Sequence, residues 1–357
     1  VKSHASMGRR ALSFALVAPF AASMSTLARP ALDGASLRYA TLAARAAATA
    51  VDGATGLVWL EHVNIVVGDR EQAEAFYFEE GLGCSRDPSK PGGPGSSGTM
   101  WANLGSQQFH LAEQADDDPP QAVRGALGLA LPDVAAAAAR LQRLEARGAC
   151  GPVEIHDADR FTATCPWGNV FHCYSCRADF SGFDAMDAKE QPKMVGLHAR
   201  DGYGGGGAPF GVRGGPGVKY LQFFCDDAES AANAYSSEFG GATTHDGSAI
   251  DTVAVQAGLG PVHLIFETAA PDPAAEAKMA GVHLCCYVDG FSERYERLRA
   301  HCFTNQRFKH LDTCDTLAEA RASRTFRFAF PALPNVEHET RALSHEQFLK
   351  RVHYAPP

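Results

Sequence analysis

The feature that most constrains this chain is an order of strand, helix and further strands that occurs four times. In the first copy, a β-rich run over 60–67 precedes a helix that Asp69 caps, and two more apolar runs follow it. The same order begins again at Ala126, at Lys219 and at Val282. Because one such unit has too little core to fold alone, the four copies are expected to pack on one another.

The spacing within the copies indicates an internal duplication. Tyr77 stands 15 residues after His62, and Tyr235 stands 15 residues after Tyr220. We therefore predict that the two halves are duplicates, in which Tyr220 takes the place of His62.

The first 56 residues differ from the rest, with six basic and only two acidic side chains. After Met7, the pair Arg9 and Arg10 precedes an apolar run over 11–22, as in a secretory signal peptide. The following Ala- and Ser-rich, acid-poor stretch is typical of transit peptides. We expect residues 1–56 to be a leader outside the fold that directs import into a plastid, with the mitochondrion as the alternative.

A glycine-rich stretch divides the remaining chain. Residues 178–216 include five glycines within 202–207, a composition typical of a flexible linker. The sequence therefore predicts a first domain over 57–177, a second over 217–345, and a tail over 346–357.

Charge, hydropathy and cysteine spacing exclude several classes of protein. The net charge of −9 argues against a general nucleic-acid binder, and no apolar run reaches the roughly 18–20 residues of a membrane helix. Of ten cysteines, only Cys173 and Cys176 have C-x-x-C spacing, so buried thiols are favoured over a disulfide scaffold or a zinc knuckle. The expected partner is a small-molecule substrate, and the oligomeric state stays open.

Several stretches resemble one known superfamily. They are Leu60-Glu-His-Val-Asn-Ile-Val66, Gly81-Leu-Gly83, Pro166-Trp-Gly-Asn169 before a strand, and the closing stretch 336–341. In this order they resemble the vicinal oxygen chelate superfamily, which includes glyoxalase I and the extradiol dioxygenases. The resemblance implies an α+β fold of two tandem domains, each made of two paired βαβββ modules that form a curved sheet around a cleft.

The resemblance also implies a metal, held by residues of the first and last strands of each module. The matching positions are His62, His110 and His172 in the first domain and, less clearly, His263, His283 and His338 in the second. Imidazole ligands favour Zn, Ni or Fe as the divalent metal. Glu337 and Glu339 flank His338, and in a regular strand they face the side opposite to it.

The implied function is a metal-dependent lyase, isomerase or dioxygenase, glyoxalase-like, that chelates a small carbonyl or carboxylate compound through two oxygens. Gln108, Arg86 and Arg160 are candidates for substrate contacts. Glyoxalase I and the ring-cleaving dioxygenases use a carboxylate ligand that the first predicted domain lacks, so the reaction stays open. The alternatives are a metal-free small-molecule binder of the resistance type, or a scaffold protein of a plastid assembly.

Overall fold

A computed structural model of the protein describes residues 56–87, 98–104, 107–114, 119–175, 217–240, 243–245, 252–257 and 262–345. Apart from Gly56, the predicted leader 1–56 lies outside these residues, as do the predicted linker 178–216 and tail 346–357. Those assignments and the plastid import stay predictions. In the described ranges, no helix combines the length and the apolar character that crossing a membrane requires.

Four modules follow one another along the chain. The first contains β1 (Leu57–Val67), α1 (Arg70–Tyr77), β2 (Ser85–Arg86), β3 (Met100–Leu104) and β4 (Gln107–Glu113). The second contains β5 (Gly125–Leu131), α2 (Val134–Ala146), β6 (Val153–Asp157), β7 (Arg160–Thr164) and β8 (Val170–Ser175). The third contains β9 (Gly217–Cys225), α3 (Ala228–Phe239), β10 (Thr243–His245), β11 (Thr252–Ala257) and β12 (Val262–Thr268). After α4 (Pro273–Met279), the fourth contains β13 (Val282–Val288), α5 (Phe291–Leu298), a 3-10 turn (Arg299–His301), α6 (Leu317–Ser323), β14 (Thr325–Phe328) and β15 (Val336–Ala342).

Side-chain caps set the start of the helices in the first three modules. Asp69, Asp133 and Asp227 each accept a hydrogen bond from the backbone N–H three residues ahead, which satisfies one free donor of the first helical turn. One face of each helix then packs against a sheet; in α2 this face consists of Val134, Ala137, Ala138, Leu141 and Leu144. The predicted α+β class is confirmed.

The modules pair in an order that the sequence did not predict. The first sheet has the strand order β14-β15-β13-β1-β4-β3-β2, which joins the first module to the fourth. The second sheet, β10-β11-β12-β9-β5-β8-β7-β6, joins the third module to the second. We expected the first module to pair with the second inside 57–177, and the third with the fourth inside 217–345; this expectation is corrected. The antiparallel contacts of β1 with β13 and of β5 with β9 decide the pairing.

Each strand at the centre of the first sheet has an apolar and a polar face. On β1, Val63 and Ile65 enter the hydrophobic core, whereas His62 and Asn64 point to the other side. On β15, Val336 belongs to the core, and Glu337 and Glu339 are buried on the other side. We call this second side, with its buried polar residues, the polar face of the first sheet.

A β-bulge lies at matching positions in the two sheets. Between Leu60 and His62 the register of β1 against β13 shifts, so Glu61 is the extra residue and its side chain is buried beside His62. The same shift occurs around Lys219 on β9, and there Tyr220 takes the position of His62, as the spacing predicted. A Cβ atom added at Gly128 would lie 2.1 Å from the Tyr220 ring, so glycine leaves that ring its space.

Candidate metal centre

Three buried side chains on the polar face of the first sheet converge on one point. They are His62 from β1, His283 from β13 and Glu339 from β15, and their ligand atoms all lie within 4.8 Å of one another. Nε2 of His283 lies 3.4 Å from Oε2 of Glu339, and Nε2 of His62 lies 3.9 Å from the same oxygen. Two imidazoles from different modules and one carboxylate therefore form a compact donor set.

The protonation states of this set suit a cation. Burial lowers the pKa of His62 to about 4, so the ring is neutral at pH 7 and has a lone pair to offer. Burial alone would raise the pKa of Glu339, but Arg341 and Arg327 outweigh it and hold that pKa well below its ordinary value. Glu339 is therefore ionised in the fold, as a metal-binding carboxylate must be.

The His62 ring is held by packing more than by hydrogen bonds. Its face lies 3.6 Å from the His110 ring at an interplanar angle of 18°. Its Nδ1 is 3.5 Å from Oε2 of Glu61, and neither ring nitrogen has a hydrogen-bond partner among the residues that the structure describes. Buried nitrogens in this condition are costly unless a ligand completes them. The residues present therefore fit a bound metal.

His110 stacks on one face of the His62 ring. Its ring is stacked between Trp101, at 4.5 Å, and His62, and its Nε2–H donates to Oε1 of Gln108 at 3.1 Å. The Gln108 amide in turn donates to Oδ2 of Asp87 at 2.6 Å and to Asn103. Burial lowers the pKa of His110 well below its ordinary value. His110, predicted as a ligand, and Gln108, predicted as a substrate contact, thus adjoin the candidate donor set, in a network that orients the stacked rings.

Two arginines tie the donor set to further carboxylates. Arg341 donates to Glu339 at 2.6 Å and to Glu61 at 2.7 Å. Arg327 is 2 % exposed, and it binds Asp312 at 2.8 Å, Glu337 at 2.6 Å and Glu339 at 3.1 Å. Four carboxylates against two guanidinium groups leave this network a formal charge of −2. A divalent cation would balance that charge.

His172, predicted to share a metal with His62 and His110, belongs to the other sheet. Its Nδ1 shares a hydrogen bond of 2.5 Å with the hydroxyl of Tyr220, which also bonds the Tyr174 hydroxyl at 3.0 Å. By strand register, Tyr220, Ala126 and His172 occupy in the second sheet the positions of His62, His283 and Glu339. The predicted three-histidine site is corrected: strand pairing places His172 in the second sheet, whereas His62 and His110 stay stacked in the first.

The remaining predicted contacts also lie away from the three donors. His263 is on β12, opposite Tyr220, and its side chain lies outside the described part of the chain. Arg86 pairs with Glu74 at 3.3 Å and covers the Phe78 ring. Arg160 pairs with Asp157 at 3.0 Å in the second sheet.

His338, the other predicted ligand of the fourth module, faces the core. Its ring lies 4.6 Å from Phe328 at an angle of 15°, and it shares a hydrogen bond with the Tyr235 hydroxyl. Strand alternation brings its neighbour Glu339 to the polar face instead. The sequence already contained this signal, since Glu337 and Glu339 flank His338 and strand alternation puts them on the face opposite to it.

Acid should destabilise the fold through His338. Burial lowers its pKa from 6.5 to about 3, so the unfolded chain takes up a proton at a pH where the folded chain does not. The stabilising contribution is complete above pH 6.5 and is lost as the pH falls towards 3, at about 1.4 kcal/mol per pH unit. Urea unfolding of the wild type and of His338→Phe between pH 7 and pH 4 checks this. The variant should lose less stability over that range, and parallel curves would contradict the assignment.

A surface cleft of about 270 Å³ lies apart from this centre. Its lining includes Val123, Arg124, Trp167, Asp272 and Lys278. Arg124, in this lining, forms an ion pair with Glu276 at 2.5 Å. None of the three converging donors lines the cleft.

No family model and no curated protein matches the chain. Among solved structures, it is similar to a Bacillus subtilis protein provisionally described as a dioxygenase, with 11% identity over 84% of this chain and 91% of that one, at a TM-score of 0.47. It is also similar to a glyoxalase I mutant from Zea mays, with 11% identity over 88% of this chain and 100% of that one, at a TM-score of 0.45. A 4-hydroxymandelate synthase mutant from Streptomyces coelicolor matches at 12% identity over 80% of this chain and 93% of that one, with a TM-score of 0.28.

Proposed function

We propose that this chain, which has the paired βαβββ modules of the vicinal oxygen chelate superfamily, is a metal-dependent enzyme for a small oxygen-rich molecule, with oxygenase chemistry as its reaction. The observation that carries the proposal is the donor set of His62, His283 and Glu339. Two histidines and one carboxylate with further positions open are typical of non-haem Fe(II) oxygenases. The carboxylate that the first module lacks is supplied by the fourth.

A metal bound by these residues would supply Lewis-acid and one-electron chemistry towards oxygen and towards neighbouring oxygens of a substrate. The chain itself prepares the donors. Arg341 and Arg327 keep Glu339 ionised, and burial keeps His62 neutral. The buried surroundings also exclude bulk water, since His62 and His283 are only 1% and 2% exposed.

Glu61 lies on the Nδ1 side of His62 and therefore favours the tautomer that leaves Nε2 free. The bulge in β1 places its carboxylate 3.5 Å from Nδ1, while Nε2 points towards Glu339. With its proton on Nδ1, on the side of Glu61, the ring would offer the Nε2 lone pair to a metal, as histidines beside a carboxylate do in metal sites. Arg341 and the Tyr287 hydroxyl anchor Glu61 in turn.

Glu61→Gln should therefore weaken metal binding without removing it. An amide holds the Nδ1 proton less strongly, and loss of such a partner lowers metal affinity about 10–100-fold. Titration with Co(II), followed by its visible absorption, measures the change. Glu71→Gln, on the exposed side of α1, is the matched control and should bind as the wild type does. Equal affinities in all three proteins would contradict the role of Glu61.

An isomerase or lyase of the glyoxalase type is the second candidate. Glu61 is a second buried carboxylate next to the donor set, and a base near the metal is what proton transfer on a chelated carbonyl compound requires. Its ion pair with Arg341 argues for a structural role instead, and therefore places this reaction second.

The test is reconstitution of the purified chain with Fe(II), Ni(II) or Zn(II), followed by elemental analysis and assays on vicinal diols, 2-oxo acids and 2-oxoaldehyde adducts. Oxygen consumption that needs both Fe(II) and substrate supports the oxygenase. Turnover without oxygen, in the Ni(II) or Zn(II) form, supports the isomerase or lyase. A chain that takes up no metal but binds these compounds would overturn both and favour the metal-free binder.

A further inference from the structure

The donor set needs a route to solvent, because it is buried. His62, His283 and Glu339 are 1%, 2% and 4% exposed. Phe308 lies against this set: the edge of its ring meets His283 at 5.4 Å, and its face lies 4.5 Å from the Arg327 guanidinium. A metal or substrate that approaches from this side meets Phe308 first.

Phe308 belongs to a segment without helix or strand, from Phe303 to Asp312. In the first module the corresponding sheet edge is β2; in the fourth, among the described residues, only a bridge between Cys302 and Phe328 stands there. The chain leaves the sheet after this bridge. Its outward side chains are exposed, among them Arg307, Lys309 and Leu311, the last by 68%.

The two ends of the segment are tied to their surroundings, and the turns in its middle are closed by hydrogen bonds within the segment, from the Leu311 and Asp312 N–H groups to the Phe308 carbonyl at 2.7 and 3.1 Å. The Phe303 N–H donates to the Arg327 carbonyl at 2.9 Å, and the Cys314 N–H donates to the Thr304 hydroxyl at 3.0 Å. Asn305 donates to Glu337 at 2.6 Å. Such a loop, with close ends and an exposed middle, can open locally while the sheet stays folded.

We infer that residues 303–312 form a lid over the metal centre, in which Phe308 closes the access route and the ion pair of Asp312 with Arg327 is the latch. This inference rests on the proposed function, which supplies the metal and the substrate that the lid would admit. Asp312 accepts two hydrogen bonds from Arg327, at 2.8 and 2.9 Å. When the lid opens and Asp312 moves away, Arg327 keeps Glu337 and Glu339 as partners. Opening therefore does not leave the buried guanidinium without a counter-charge.

The latch also connects the lid to a metal-binding residue. Arg327 holds Asp312 and, through Nη2 at 3.1 Å, the same Oε2 of Glu339 that faces His62 and His283. When the lid is closed, Asp312 therefore shares the guanidinium that orients Glu339. Arg327 is a positioning residue in this arrangement, and Phe308 is the residue that limits what can enter.

Co(II) exchange tests the lid. In Phe308→Ala, or in the milder Phe308→Leu, uptake of Co(II) and its release to a chelator should both be about tenfold faster, because ring contacts that hold the lid closed are lost. The equilibrium affinity should stay close to that of the wild type, because no donor is changed. Leu311→Ser, on the exposed side of the same segment, should exchange at the wild-type rate. Unchanged rates in both Phe308 variants would overturn the lid.

Limited trypsin digestion separates failure of the lid from failure of the metal site. Arg307 and Lys309 lie on either side of Phe308, so cleavage at these residues reports opening of the segment even if no metal binds. Cleavage of the native protein should be faster in Phe308→Leu and Asp312→Asn than in Leu311→Ser. Equal rates would overturn the lid, whereas a wild type that binds no Co(II) but shows this order would keep the lid and refute the metal centre.

Discussion

Replacing either His62 or His283 with alanine should abolish stoichiometric metal binding and leave the fold intact. Each change removes one of three donors, an effect larger than the roughly 10–100-fold loss that follows removal of a supporting hydrogen-bond partner. The sheet itself is held by the hydrophobic core on its other side, so it does not depend on the metal. Elemental analysis after dialysis against a trace of Fe(II) or Zn(II) measures the loss, and far-UV circular dichroism checks the fold.

His172→Ala is the control that distinguishes the two possible sites. The sequence groups His172 with His62, whereas the structure places it in the second sheet beside Tyr220. We expect His172→Ala to keep its metal. Loss of metal in His172→Ala, together with retention in His283→Ala, would show that the donor set is wrong and that the modules pair as the sequence suggested.

Arg327→Met should destabilise the fold by roughly 3–5 kcal/mol, the cost of breaking a buried ion pair from one side. The guanidinium is 2% exposed and serves three carboxylates, so its loss leaves Asp312, Glu337 and Glu339 as buried charges that repel one another. Urea unfolding at pH 7 in the absence of metal gives the change in the free energy of unfolding.

Two further variants show whether unpaired buried charge causes the loss of stability in Arg327→Met. Arg321→Met, at an exposed position of α6, should change the free energy of unfolding by no more than about 0.5 kcal/mol. Adding Asp312→Asn and Glu337→Gln to Arg327→Met should recover part of the lost stability, because two of the three carboxylates that lost the guanidinium become neutral and the third, Glu339, still pairs with Arg341. If the triple variant is as unstable as Arg327→Met alone, lost packing is the cause, and the charge network contributes little.

The sequence predicted the modules because their signals are local. Asp69, Asp133 and Asp227 cap helices within three residues of themselves, and the apolar face of α2 has the 3.6-residue period that a helix imposes. The match of Tyr220 to His62 is also local, because it depends on spacing within a module. Each of these features is set by neighbours in the chain, so a single sequence is enough to show it.

The sequence predicted some of the converging histidines, because their positions within a module are also a local feature. His62 and His283 both stand in the first strand of a module, and the sequence named both as ligands, each for a different site. His338 was the wrong choice beside Glu339, although period-2 alternation forces such neighbours onto opposite faces. Which face is polar depends on what covers it, and for β15 that is decided by Tyr235 and Phe328 packing against His338.

Only the tertiary structure decided which modules share a sheet, and with that which side chains converge as candidate metal ligands. β1, β5, β9 and β13 are all rich in apolar residues, and no local feature of the sequence selects which of them pair. The antiparallel contact of β1 with β13 brings His62 within reach of His283 and Glu339, more than 200 residues away along the chain. The sequence by itself determined the four modules and the residue types on their strands. It did not determine how the modules pair, because pairing is a long-range packing choice without a local signal. That pairing brings His62, His283 and Glu339 together as a donor set.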